Sequence, residues 1–316
     1  MSKQRIVATA RIGEPAITIL NRIAKLETAP APDEKTVMAM LEGTTAIVCR
    51  GEGGASRQLI EAAESLKVIG RCGAGYDSVD VVCATERGIP LVIAPVGGFA
   101  VAEGALAMLL SLVKLLPMGD HAVRTGNWQW RYNHLSGDMT EKTLGLIGFG
   151  RIGSHLAELV RPFSMTVLVC DPWVDVTGVE QVELDELLAR SDYLSLHTPL
   201  NDDTRGLIDA ERIAKMKRGA ILINTSRGGV IESLDVLADA LDSGQLAAVG
   251  LDVFPSEPPD TSHRIFHDPR CLCSPHLVGG SQLAMYRIYE SMANDMTAVL
   301  SGGRPRFCVN PEVFSP

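Results

Sequence analysis

The chain has 316 residues, long enough for two domains that each bury a core. Apolar residues make up 46% and charged residues 21%, and the 30 glycines and 17 prolines follow no period, which excludes collagen-like and disordered classes. Asp and Glu (38) outnumber Lys and Arg (29), giving a net charge of −9 with no basic stripe, so a nucleic-acid partner is not expected.

Short Val- and Ile-rich runs alternate with longer amphipathic segments, the pattern of parallel sheets covered on both faces. The pattern occurs in two blocks, predicting an α/β protein with two doubly wound parallel-sheet domains. In the first, strands are expected at Arg5–Ala10, Ala46–Cys49, Val68–Gly70 and Leu91–Ala94, with helical patterns over Pro15–Leu26, Arg57–Leu66 and Val79–Glu86. A long apolar helix begins near Ala100. Its run Ala105–Leu116 is shorter than the ~20 residues of a membrane span and carries Lys114, so it reads as a buried helix and no membrane partner is expected. The polar and aromatic stretch from Gly126 to Tyr132, with Trp128 and Trp130, reads as an exposed arm suited to a subunit contact.

The second block predicts strands at Thr143–Ile147, Thr166–Val169, Tyr193–Leu196, Ala220–Ile223 and Ala248–Leu251. A final helical pattern, Gln282–Leu300, is expected to return to the first block. Domain boundaries fall near residues 98 and 285. Seven cysteines, an odd number without a C-x-x-C pair, read as reduced thiols of a cytoplasmic protein, and no export signal is seen at the N-terminus.

Gly148-Phe-Gly150-Arg-Ile-Gly153 follows a five-residue apolar strand and opens a helix with apolar Ile152, Leu156 and Leu159. Gly148 permits the sharp turn, Gly150 lets backbone approach a pyrophosphate, and Gly153 lets helix and strand pack closely. The helix start at Arg151 and Ile152 supplies N–H donors and positive dipole to the phosphates. Asp171 ends the next strand, where a carboxylate bonds ribose hydroxyls and repels a 2′-phosphate, so the expected cofactor is NAD rather than NADP.

Several ordered motifs then carry a resemblance. Arg71-Cys-Gly-Ala-Gly-Tyr-Asp77, Val101-Ala-Glu103, His197-Thr-Pro-Leu200 through Thr204, Asn224-Thr-Ser-Arg-Gly228, Leu251-Asp-Val-Phe254 and Ser274-Pro-His-Leu277 resemble, in sequence order, the NAD-dependent D-2-hydroxyacid dehydrogenases, in particular the phosphoglycerate-dehydrogenase-like branch. The resemblance spans nearly the whole chain. It implies a flavodoxin-like substrate domain (1–98 plus 285–316), a Rossmann cofactor domain (99–284) and a cleft between them. It also implies a homodimer held by the cofactor domain, and hydride transfer between NAD(H) and a small D-2-hydroxy or 2-keto acid such as glyoxylate, hydroxypyruvate or a 3-phosphoglycerate-like acid.

That chemistry needs a cation for the substrate carboxylate and a proton donor at the oxygen that becomes a hydroxyl. Arg227, at the carboxyl end of a buried strand, offers a guanidinium fork, and the resemblance makes it the substrate anchor. His276 is the expected general acid and base, since imidazole titrates nearest neutral pH. Glu257 is its implied partner, a carboxylate that favours imidazolium and fixes the ring, and it argues against formate chemistry, where an amide is expected. Asp252 resembles the residue that contacts the nicotinamide carboxamide, although a strand-end aspartate also serves as a cap. Thr198, Thr204 and Thr225 resemble further cofactor contacts.

Arg50, Arg71 and the Gly73-Ala74-Gly75 backbone are the implied substrate contacts, the two arginines suiting a substrate phosphate. Gly104 departs from the family, many members of which place a histidine after Val-Ala-Glu. His263 and His267 lie four apart near Asp260 and Asp268, but flanking prolines argue against the helix a shared zinc would need, so no metal is expected. An NAD(H)-sensing interaction protein or corepressor on the same fold is the alternative from another functional class.

Overall fold

The computed structural model describes residues 4–174 and 176–315. The chain divides into two compact units, residues 1–97 with 281–316, and residues 98–280. In the first unit the strands are β1 (Gln4–Ala8), β2 (Ala24–Thr28), β3 (Ala46–Cys49), β4 (Val68–Arg71) and β5 (Leu91–Val92), and the helices between them are α1 (Ala16–Asn21), α2 (Glu34–Met38), α3 (Arg57–Ala62) and α4 (Val81–Glu86). The sheet is parallel, in the order β2-β1-β3-β4-β5. That is the flavodoxin-like order, whose direction reverses between β1 and β3.

The Pro15–Leu26 pattern is corrected here. Its helix stops at Asn21, and Ala24–Thr28 forms edge strand β2 on β1. The apolar spacing of Ile17, Leu20, Ile23 and Leu26 suits a helix, but the four side chains pack against one core cluster from α1, the turn after it and β2.

The second unit begins with α5 (Gly98–Val113) and α6 (Leu116–Arg124), separated at Leu115, whose φ of 55° breaks the helix. The run Ala105–Leu116 is therefore split between two helices. No single helix among the described residues is long and apolar enough to cross a membrane. The aromatic arm forms an exposed 3-10 turn, Trp128–Tyr132. Then follow β6 (Thr143–Ile147), α7 (Arg151–Val160), β7 (Thr166–Cys170), β8 (Glu180–Gln181), α8 (Leu184–Arg190), β9 (Tyr193–Leu196), α9 (Ala210–Lys215), β10 (Ala220–Asn224), α10 (Leu234–Asp242), β11 (Leu246–Leu251) and β12 (Cys271–Cys273). The seven strands are parallel, in the order β12-β11-β10-β9-β6-β7-β8. Strand order reverses between β6 and β9, the place where doubly wound sheets bind ligands beyond the strands' carboxyl ends.

Helix α11 (Gln282–Leu300) opens on the Ser281 cap and packs within the first unit against α1, β4 and β5. Each sheet has an apolar cluster on both faces. In β1, for example, Ile6 and Ala8 join the cluster that contains Ile288 and Met292, while Val7 joins the opposite one.

Candidate active site

The site residues of the second unit sit beyond the carboxyl ends of its central strands. After β6, Gly148 turns with φ 94°, where a Cβ would lie 2.7 Å from the His197 carbonyl oxygen. A Cβ on Gly153 would lie 2.2 Å from the Gly148 oxygen, so α7 packs on the turn only through glycine. Gly150 faces open space and caps α7 without a side-chain hydrogen bond, so backbone rather than a side chain faces the site at this helix start, an arrangement that suits an anion. Asp171 ties this turn to β7: its carboxylate accepts the Phe149 N–H at 2.7 Å and the Trp173 N–H at 2.9 Å.

After β9, His197 is half-buried, its Nε2 2.9 Å from Ser195 Oγ. Burial pushes its pKa down to about 4, so the ring is neutral. The Thr204 hydroxyl closes the following loop, donating to the Pro199 carbonyl at 2.6 Å and accepting the Asn201 N–H at 2.9 Å, and Thr198 makes a long contact with the same carbonyl. After β10, the Thr225 hydroxyl is buried with no hydrogen-bond partner among the described residues. A buried orphan hydroxyl at the same sheet end as an open glycine turn and an uncapped helix start fits a polar dinucleotide.

Arg227 follows in the same loop, half-buried. Asn224 shapes the loop, accepting from the Ser226 N–H and hydroxyl and donating to the Arg227 carbonyl at 2.9 Å. A Cβ on Gly228 would lie 1.9 Å from the Phe254 carbonyl carbon, so the Arg227 loop passes directly against the Phe254–Pro255 backbone that leads to Glu257.

Glu257 Oε1 accepts the Phe254 N–H at 3.1 Å, and its Oε2 lies 2.7 Å from His276 Nδ1. The Glu257 and His276 side chains are 34% and 52% exposed, open enough for a substrate to reach the imidazole. His276 has φ 52°, a left-handed backbone unusual for a non-glycine residue. Buried Asp252 holds that turn: its carbonyl accepts the His276 N–H, and its Oδ1 accepts the N–H groups of Leu277 at 2.8 Å and Val278 at 3.3 Å. Burial pushes the Asp252 carboxyl up, while the hydrogen bonds from Ser274, Leu277 and Val278 oppose the shift. The sequence leaves Asp252 open between a cofactor contact and a strand-end cap, and does not show that what it holds is the histidine turn.

At Gly104 a Cβ would lie 2.4 Å from Val278 Cβ, so the residue after Val101-Ala-Glu103 is small because the turn beyond His276 packs on α5 there. His263 caps a short 3-10 helix, Arg264–His267, and bonds Asp235 at 3.1 Å, and no group of three or more potential metal ligands occurs among the described residues.

The remaining candidates lie in the first unit. Arg50 follows β3 at the strand-order reversal, donates to the Arg11 carbonyl and lies over the Tyr289 ring. Arg71 ends β4 and donates to the carbonyls of Gly75 at 3.0 Å, Cys49 at 3.3 Å and Gly51 at 3.4 Å. It thereby shapes the Gly73-Ala74-Gly75 loop, in which Gly73 has φ 129°.

Comparison with known proteins agrees with this architecture. Residues 106–278 match the family model described as D-isomer specific 2-hydroxyacid dehydrogenase, NAD binding domain. A D-3-phosphoglycerate dehydrogenase of Synechocystis is 33% identical over 99% of this chain and 57% of its own length. The chain spans about half to three-fifths of the length of such curated relatives. Among solved structures, a protein from Thermus thermophilus has a TM-score of 0.91 at 32% identity, covering 97% of this chain and 100% of the other. A glyoxylate reductase from Paecilomyes thermophila has a TM-score of 0.90 at 29% identity, covering 99% and 100%. The chain belongs to the D-isomer specific 2-hydroxyacid dehydrogenase family, and its second unit contains that family's NAD binding domain.

Proposed function

We propose that the protein is an NAD(H)-dependent dehydrogenase that interconverts a small 2-keto acid and its D-2-hydroxy acid. The observation that carries this reading is the 2.7 Å contact between His276 Nδ1 and Glu257 Oε2, at the same sheet end as the glycine turn. With Nδ1 turned to the carboxylate, His276 keeps Nε2 for the substrate oxygen, giving a proton in reduction and taking one in oxidation. Glu257 fixes the orientation of the ring. Arg227 offers its guanidinium to the substrate carboxylate.

When bound, the dinucleotide supplies hydride in reduction and accepts it in oxidation. We assign its pyrophosphate to the turn Gly148, Gly150 and Gly153 and to the helix start at Arg151 and Ile152, with hydroxyl contacts from Thr198, Thr204 and Thr225. Asp252 serves the nicotinamide end. Asp171 serves the ribose and favours NAD over NADP. The first unit is the substrate domain, in which Arg50, Arg71 and the backbone of Gly73, Ala74 and Gly75 recognise the acid.

The exposed apolar residues Leu116, Val123, Trp128, Tyr132 and Leu135, the last 92% exposed, support a homodimer formed through this arm. Seven free thiols suit a reducing compartment such as the cytoplasm.

The test is NADH oxidation by the purified protein across small and phosphorylated 2-keto acids, with the His276→Ala variant alongside. Turnover is expected with at least one acid. The variant should lose it while keeping its affinity for NADH. Inactivity across the panel overturns the reading, and NADH-dependent binding of another protein that survives His276→Ala would support a non-catalytic sensor instead.

A further inference from the structure

Cys271 and Cys273 alternate with Leu272 on edge strand β12, so their side chains share a face. Their sulfurs lie 3.5 Å apart, with Cys273 exposed and Cys271 half-buried. The thiol contact draws the Cys273 pKa down and the Cys271 pKa up, and burial raises Cys271 further. Cys49 and Cys72, by contrast, are both pushed up to about 12 by burial and stay protonated. The thiolate is the reactive form, so the most reactive sulfur of the pair is also the exposed one.

We propose that Cys271 and Cys273 form a modification site, a vicinal dithiol that a peroxide converts to an intrastrand disulfide and a thiol reductant restores. The Cys273 thiolate attacks one peroxide oxygen. The O–O bond breaks, hydroxide leaves and takes a proton from solvent to become water, and Cys273 becomes a sulfenic acid. The Cys271 sulfur then attacks the sulfenic sulfur and gives up its proton. The S–O bond breaks and a second water leaves. Together the two sulfurs lose two electrons, and the peroxide is reduced to two waters.

The bridge alters its strand. Residues two apart in a strand are ~6.6 Å apart at ~3.3 Å per residue, near the long end of the ~4.4–6.8 Å that disulfides span. Closing the bridge therefore shortens β12 and loosens its pairing of Cys271 with Val249 and Cys273 with Leu251. Three residues beyond Cys273 is His276, whose N–H is held by Asp252 across this pairing. Oxidation is expected to displace that histidine, a consequence that rests on the proposed function, whereas disulfide formation does not.

The full chain is treated with hydrogen peroxide, alkylated and digested with trypsin. Cleavage after Arg270 and Arg287 isolates a peptide that holds these two cysteines and no other. The expected peptide weighs two hydrogens less than the reduced form and escapes alkylation, and dithiothreitol reverses both changes. Cys271→Ser and Cys273→Ser each abolish the mass loss. Turnover is expected to fall in step with the bridge and to recover with reductant, while both serine variants keep theirs. A peptide that stays doubly alkylated, or that passes to sulfinic acid without bridging, overturns the proposal. The mass is read whether or not the protein turns over, so failure of the functional reading is recognised separately.

Discussion

Asp252 accepts the backbone N–H of Leu277 at 2.8 Å, so a buried carboxylate at the end of β11 secures the turn that presents His276. Asp252→Ala frees that turn and is expected to lower kcat by up to ~100-fold, the usual cost of misplacing a catalytic group by about an ångström. Asp252→Asn keeps an oxygen acceptor and removes a desolvated charge. Its Tm should equal or exceed the parent's, with kcat far closer to the parent's than that of the alanine variant. Equal losses of kcat in the two variants would show that the negative charge, rather than the grip on the turn, is what matters.

Thr225 gives a prediction with two opposite signs. Its buried hydroxyl lacks a partner among the described residues, and leaving such a group unpaired costs ~1 kcal/mol or more. Thr225→Val should raise the Tm of the cofactor-free protein by about 2 °C and weaken NADH binding roughly 5- to 10-fold. Thermal scans with and without NADH measure both. A lower Tm without cofactor would refute the assignment of this hydroxyl to the dinucleotide.

His197 is the source of a specific acid sensitivity. Burial lowers its pKa from 6.5 to about 4. Between those values the unfolded chain binds the proton and the folded one does not, so stability is complete above pH 6.5 and falls as pH drops toward 4. The loss approaches ~3 kcal/mol. His197→Gln should flatten this part of the stability profile in denaturant titrations between about pH 4 and pH 7, whatever it does to stability at neutral pH. An unchanged slope would assign the acid loss to other groups.

Gly104→Ala would ordinarily stabilise a helix by up to ~1 kcal/mol. Here the added methyl meets Val278 Cβ at 2.4 Å, and overpacking of that kind costs ~1–3 kcal/mol. The variant should be less stable than the parent, and adding Val278→Gly should restore part of the loss. Two independent, additive effects in that double-mutant cycle would rule out the contact.

Much of this architecture is legible in the sequence. Predominantly apolar runs such as Ala46–Cys49 and Tyr193–Leu196 are strands because both faces of a parallel sheet are covered, and Gln282–Leu300 begins at a serine cap whose Oγ accepts the Ala284 N–H. Edge strands are harder to read. β2, β8 and β12 are short, polar or mixed, and become strands through the neighbour they pair with. The glycine turn is legible because its parts are consecutive. The approach of Gly228 to Phe254, the hold of Asp252 on the histidine turn and the fit of Val278 at Gly104 join segments up to about 170 residues apart, and local pattern carries no trace of them.

The division of the chain also bears on how it is made. The second unit is one continuous stretch, whereas the first needs Ile288, Met292 and Met296 of α11 to complete the apolar cluster over β1, β3 and β4. On the ribosome, the opening ninety-seven residues must therefore wait, one oily face bare, until α11 has been synthesised. The segment encoded in the middle can finish folding first and leave the earliest-made strands as the client most in need of a chaperone.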